Sequence, residues 1–213
     1  MEDQYRTREF IEGIDGKRSL LFLDVGRNHG LVFYYTMYRM MRARSSIREV
    51  TYIGIDPSPL KFVYFNFFSY LEKSGTKVTY RILDRAVTFG NEDTTVLKYG
   101  ERNFGNFNVV SSNYSQKLSA QQGRFEFVEI EVDAMSPGEI LALLDGQSHD
   151  VVVAKIDCKN RTEVLFDLFA QKLEEMDVQY LVAAEADGSV GKVLDPYRDV
   201  SSNTLSKSNV SLG

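Results

Sequence analysis

Apolar positions in this chain fall into short continuous runs, each stopped by a glycine or an acid, and the runs alternate with stretches of helical spacing. Leu20-Leu21-Phe22-Leu23-Asp24-Val25 is the first run, ended by Gly26. An almost unbroken apolar run suits a strand buried on both faces, where an alternating pattern would leave one face for water. A helix is expected from about Gly30 to Arg44. Tyr52-Ile53-Gly54-Ile55 is a second strand that ends at Asp56-Pro57. Ser58-Pro59 then has the chemistry of a helix start, serine as N-cap and proline at the first helical position. That helix should run to about Lys73, with a third strand from about Val78 to Leu83.

The middle of the chain changes character. Thr94 to Tyr99, Phe107 to Ser111 and Phe125 to Val132 are β-rich stretches between polar and glycine-rich turns, the pattern of an antiparallel insert. Ser136-Pro137-Gly138-Glu139 has capping-box spacing and should open a short helix to Leu144. Val151-Val152-Val153-Ala154-Lys155-Ile156 is a fourth buried strand of the main series. Asn160 to Glu163 has N-cap spacing for a helix to about Met176, and Tyr180-Leu181-Val182-Ala183-Ala184 is the last clear strand. Alternating strands and helices predict a Rossmann-like α/β fold, doubly wound on a mostly parallel sheet, with a small antiparallel β insert.

Composition adds limits. The chain has 213 residues, 43% hydrophobic and 26% charged, as in one ordinary globular domain. A single domain is expected over residues 1–200, and a flexible tail over 201–213, where serine and asparagine dominate. The net charge of -5 does not favour non-specific nucleic-acid binding. No apolar run is long enough to span a bilayer. Met1 to Arg6 carries both charge signs and lacks the basic-then-apolar order of a secretory signal, so the expected location is cytoplasmic. Cys158 is the lone cysteine, and with two histidines it gives no basis for a metal site.

Candidate chemistry concentrates where strands end. Asp24-Val25-Gly26-Arg27-Asn28-His29-Gly30 joins a buried strand to a helix, the place where doubly wound folds bind cofactors. Gly26 and Gly30 permit tight turns and close backbone approach. Asp24 opposes a pyrophosphate on this loop, and the third glycine of a dinucleotide motif is missing. S-adenosylmethionine (SAM) has no phosphate; it carries an ammonium and a sulfonium, which suit a carboxylate directly or through water. Asp56 closes the second strand, where an acid accepts hydrogen bonds from both ribose hydroxyls of an adenosine. Taken alone, Asp24 and Gly26 are also what any strand end and turn would use, and Asp56-Pro57 what any turn before a helix would use.

The motif Leu23-Asp24-Val25-Gly26-Arg27-Asn28-His29-Gly30 resembles the "D-V-G-A-N-x-G" loop of FkbM-like methyltransferases. Ile55-Asp56-Pro57-Ser58-Pro59 is similar to that family's "E-P-x-P", and Arg85-Ala86-Val87 falls at its alanine-centred segment. Lys155-Ile156-Asp157-Cys158-Lys159-Asn160 resembles its "K-I-D-V-E-G". The resemblance covers roughly residues 20 to 186 and implies a SAM-dependent methyltransferase acting on a hydroxyl of a small-molecule or glycan acceptor. It places the cofactor on Asp24, Gly26, Asn28, Gly30, Asp56, Pro57 and Ala86. Arg27 replaces a small loop residue, Lys159 and Asn160 replace the glutamate and glycine, and the glutamate that follows is displaced by one position to Glu163.

On the acceptor side, Lys155 and Asp157 project to the same side by the two-residue strand period. Asp157 is then either a base or orienting group tuned by Lys155, or half of a buried structural pair. Glu185 and Asp187 at the last strand end either line the acceptor pocket or are solvated acids. His29, inside the loop, suits a packing or backbone-bonding role better than that of a base. Tyr34 to Arg44 mixes aromatics with arginines. As a nucleic-acid surface it would imply a nucleic-acid methyltransferase, but the acidic total charge favours a helix that buries tyrosine and methionine and solvates its arginines. Two rival classes remain: a catalytically inactive SAM-fold binding protein, from the departures at Lys159 and Asn160, and an NAD(P)-dependent oxidoreductase, disfavoured by Asp24.

Overall fold

The structure is a computed structural model that describes residues 10, 14, 16–27, 30–42, 45–57, 62–100, 108–109, 127–158, 161–176, 178–186 and 189–194. The five strands expected outside the insert form one sheet: β1 (Ser19–Val25), β2 (Glu49–Ile55), β3 (Lys77–Leu83), β8 (Val151–Ile156) and β9 (Gln179–Ala186). These are parallel to one another, and an antiparallel β10 (Ser189–Leu194) adds the edge, giving the order β10-β9-β8-β1-β2-β3. The insert comprises β4 (Ala86–Val87), β5 (Thr94–Gly100), β6 (Asn108–Val109) and β7 (Phe127–Met135). Its order is β4-β7-β5-β6, antiparallel except for the β4–β7 pair. This is the expected Rossmann-like α/β architecture.

Helices cover both faces of the main sheet. Helix α1 (Leu31–Arg42) and helix α2 (Phe62–Lys73) lie on one side, where Phe22, Phe33, Met37, Tyr52 and Phe68 pack together. Helix α3 (Pro137–Ala142) and helix α4 (Thr162–Glu174) cover the other, where Leu23, Ile55, Ile156, Leu165 and Phe169 meet. Strand alternation assigns the faces: Leu20 and Phe22 belong to the first cluster, Leu21, Leu23 and Val25 to the second. The strand order reverses between β1 and β8, so the crevice outside the carboxyl ends of these two strands is the topological switch point.

Some expectations are corrected. Helix α1 buries Phe33, Thr36, Met37 and Met40, while Tyr34 and Tyr38 stay exposed, so its methionines face the core and these tyrosines do not. Ser136 does form the capping box with Glu139. Helix α4 instead starts at Thr162 behind Arg161, which makes no side-chain cap, in place of the expected cap at Asn160. Strand β10 was hidden because Gly191 breaks its alternation, at a bulge between Val190 and Lys192. Among the described residues no helix is long and apolar enough to cross a membrane. Asn28, His29, Ser58, Pro59, Lys159, Asn160, Asp187 and the tail 201–213 lie outside the described residues, as does the side chain of Glu185.

Candidate functional site at the switch point

Sheet register builds a charged layer just inside the switch point. Asp24 stands beside Gly54 on β2 and beside Lys155 on β8. The period-two alternation turns Asp24, Tyr52 and Lys155 to the face covered by α1. Lys155 Nζ lies 3.1 Å from Asp24 Oδ1 and donates to the Gly26 carbonyl at 2.5 Å. Its distance to Asp157 Oδ2 is 3.7 Å. The Tyr52 hydroxyl donates to Asp24 Oδ2 at 3.1 Å. One ammonium therefore ties β1, the glycine loop and the β8 exit together.

Burial alone would lower the pKa of Lys155. The charges of Asp24 and Asp157, the hydrogen bond with Asp24 and the more distant charge of Asp56 outweigh it, and the pKa stands above the ordinary lysine value. Lys155 is thus a permanent cation at neutral pH. Asp24 is fully enclosed, its carboxylate held by Lys155 and Tyr52. A direct contact from Asp24 to a bound molecule, one of the two ways expected from sequence, is not offered by this arrangement.

The loop owes its glycines to its own chain. Gly26 has φ +70°, and a Cβ there would run into the Asp157 carbonyl oxygen. Gly30 has φ +62° and opens α1. Gly26 and Arg27 both donate their amides to the Ile55 carbonyl, at 2.8 and 3.3 Å, and Gly30 donates to the Arg27 carbonyl at 2.7 Å. These three amides are therefore spent inside the protein. A dinucleotide loop would turn such amides toward pyrophosphate.

Three further carboxylates stand at the strand exits. Asp56 and Pro57, both half-buried, follow β2; Asp84 follows β3; and Asp157, its side chain 23% exposed, follows β8. The Asp157 amide donates to the Val25 carbonyl at 2.8 Å, which keeps this exit beside the glycine loop. Arg27 is the second enclosed cation. Its stem crosses Gly54, where a Cβ would sit 2.7 Å from Arg27 Cδ, and its guanidinium is 3.4 Å from Asp84 Oδ1. With Asp24, these acids are four carboxylates around the enclosed Lys155 and Arg27, while Arg85 and Arg161 lie farther out on the same edge.

The structure brings Asp24, Gly26, Lys155 and Asp157 into direct contact and sets Asp56 on the same edge. Gly30 lies at the loop's far end. Ala86 is buried in β4, paired with Ala134, so its side chain belongs to the core. Cys158 is partly buried against the α4-side core. Sequence reasoning missed Tyr52, Gly54 and Asp84. A tyrosine and a glycine inside an apolar strand were the only signals, and their meaning depends on register. A cavity of about 460 Å³ lies elsewhere, at the amino ends of β2 and β3, walled by Met37, Met40, Ile47, Val50 and Leu71. Ser45, Ser74 and Thr76 complete its lining with Arg48, which bonds the Ser45 and Ile47 carbonyls, and no carboxylate or histidine joins them.

Comparison with family models, with curated proteins and with solved structures returns no match for this chain.

Proposed function

We propose that the switch point binds SAM and that the protein transfers its methyl group to a hydroxyl of a small-molecule or glycan acceptor. The observation that carries this reading is the loop whose Gly26, Arg27 and Gly30 amides are already bonded within the chain, set beside the carboxylates of Asp56 and Asp157. Such an edge suits a cationic ligand without phosphates at this point, and disfavours a nicotinamide dinucleotide. SAM, when bound, supplies an activated methyl group on a sulfonium.

The residues divide the work. Asp56 accepts hydrogen bonds from the ribose hydroxyls, with Pro57 fixing the turn behind it. Gly26, Asn28 and Gly30 shape the loop that meets the methionine end. Asp24 contributes through its field, screened by Lys155. Asp157, partly open at the β8 exit, orients or deprotonates the acceptor hydroxyl. Lys155 is enclosed, so it positions Asp157 and the loop and does not itself meet the acceptor.

A second reading, a SAM-fold binding protein without turnover, is favoured by one observation: Asp157 lies 3.7 Å from Lys155 and shares in an ion cluster that would order the loop without any reaction. Native mass spectrometry of freshly purified protein tests both. Co-purified SAM or S-adenosylhomocysteine (SAH) is the expected result, and a bound nicotinamide dinucleotide contradicts it. Methyl transfer in an acceptor screen then separates enzyme from binder.

A further inference from the structure

We infer that Arg161 is the acceptor-recognition residue of this site and that the acceptor carries an oxyanion, a carboxylate or a phosphate, for it to hold. This rests on the methyltransferase reading above and adds the acceptor's chemical class. Arg161 has φ 49° and ψ 40°, the left-handed conformation, and no other non-glycine described residue has positive φ. Glycine or asparagine fits that backbone better. Arg161 is also the N-cap of α4, where serine, threonine, aspartate or asparagine would bond the first amides, and it makes no such bond. Its charge sits at the positive end of the helix dipole. Local structure thus argues against arginine at this position on three counts, and something other than the fold has to account for it.

The side chain supplies the account. Its guanidinium lies over the Phe89 ring, 5.4 Å from the centroid, and Phe89 is itself packed against the core. A cation–π contact of this kind restrains the guanidinium and leaves its N–H groups, which the ring face cannot satisfy, for another acceptor. Arg161 is exposed, and among the described residues its side chain makes no hydrogen bond or ion pair. The other cations of this edge among the described residues are engaged: Lys155 by Asp24, Arg27 by Asp84, and Arg85 by Glu139 at 3.8 Å. Arg161 lies on the same strand-to-helix connection as Asp157, at the β8 exit. An anionic acceptor brought to an edge rich in carboxylates needs one presented cation, and a planar fork of donors matches a carboxylate or phosphate.

The test titrates inorganic phosphate and, separately, acetate into the full-length protein while following arginine side-chain ¹⁵N–H signals, with Arg161 assigned by its loss in Arg161→Gly. The Arg161 signal should shift saturably, with apparent affinity about ten-fold tighter than at exposed Arg42, and the tighter of the two anions names the group. In the presence of SAH, 4-hydroxybenzoate should bind about ten-fold more tightly than its neutral methyl ester, and Arg161→Gly should erase that difference. Arg161→Gly should melt no lower than wild type, since glycine relieves the backbone, and should keep its SAH affinity. No saturable shift at Arg161, equal shifts at all exposed arginines, or equal binding of acid and ester would overturn the inference. Anion binding at Arg161 in a protein that does not bind SAH would instead count against the cofactor reading alone.

Discussion

The two ends of the central sheet handle charge in opposite ways. At the amino ends of the strands, polar groups sit near water and pair with close partners. Asp150 Oδ2 accepts from the Arg18 and Ser19 amides at 2.8 and 2.9 Å, and Ser19 Oγ accepts from the Asp150 amide at 2.9 Å. The backbone bonds from Arg18 and Ser19 hold the Asp150 pKa below the usual aspartate value. Lys77 and Glu49 pair at 2.7 Å on the exposed surface, and His149 bonds Thr51 at 2.9 Å. At the carboxyl ends, Asp24, Lys155 and Arg27 are enclosed. Buried charges cost several kcal/mol each in desolvation and do not improve a fold over apolar packing, roughly speaking. The amino-end contacts are what a sheet needs to fix strand register, whereas the carboxyl-end cluster exceeds that need, and the proposed function accounts for the excess.

The sharpest break in that comparison would come from Asp157→Asn. An amide keeps the shape but is a negligible base at neutral pH, so turnover with a true acceptor should fall by about 100- to 10,000-fold. Lys155 would keep Asp24 at 3.1 Å and the Gly26 carbonyl at 2.5 Å, so melting and SAH affinity should change little. Unchanged turnover with a lowered melting temperature would make the carboxyl end structural, like the amino end.

Lys155→Ala should act on stability. It strips Asp24 of its buried counter-charge, a loss of about 3–5 kcal/mol for a broken buried pair. Denaturant unfolding measures this, and a change no larger than that of Lys77→Ala at the exposed pair would erase the distinction between the two ends. The smallest effect belongs to His149. Burial lowers its pKa, against the opposing charges of Glu49 and Asp150. The unfolded chain therefore takes up this proton at a higher pH than the native protein. Stability should fall as pH drops through about 6.5, the free histidine value, and level off below the lowered native value. Melting curves of His149→Gln between pH 8 and 5 should have a shallower slope than wild type; an equal or steeper slope contradicts this sign.

Much of the fold was legible in the apolar runs. Val151 to Ile156 and Leu20 to Val25 are buried at every position, which only strands covered on both faces require. The carboxyl edge was legible because Gly26, Asp56-Pro57 and Asp157 punctuate those runs. The contacts within it were not. Asp24 meets Lys155 and Tyr52 because β1 pairs in register with β8 and β2, and register is a property of the assembled sheet. The helix expected to be capped at Asn160 starts instead behind Arg161, the one described non-glycine residue with positive φ, and no local sequence signal marks that conformation.

SAM at the carboxyl end of the sheet is what the proposed function requires first. Calorimetric titration of SAH into the wild-type protein and into Asp56→Ala, with NAD⁺ as the competing ligand, tests it most directly. Wild type should bind SAH and not NAD⁺, and folded Asp56→Ala should lose about 1.5–3 kcal/mol of SAH affinity with the ribose hydrogen bonds. Binding of NAD⁺ in preference to SAH, or equal SAH affinity in the two proteins, would contradict the account.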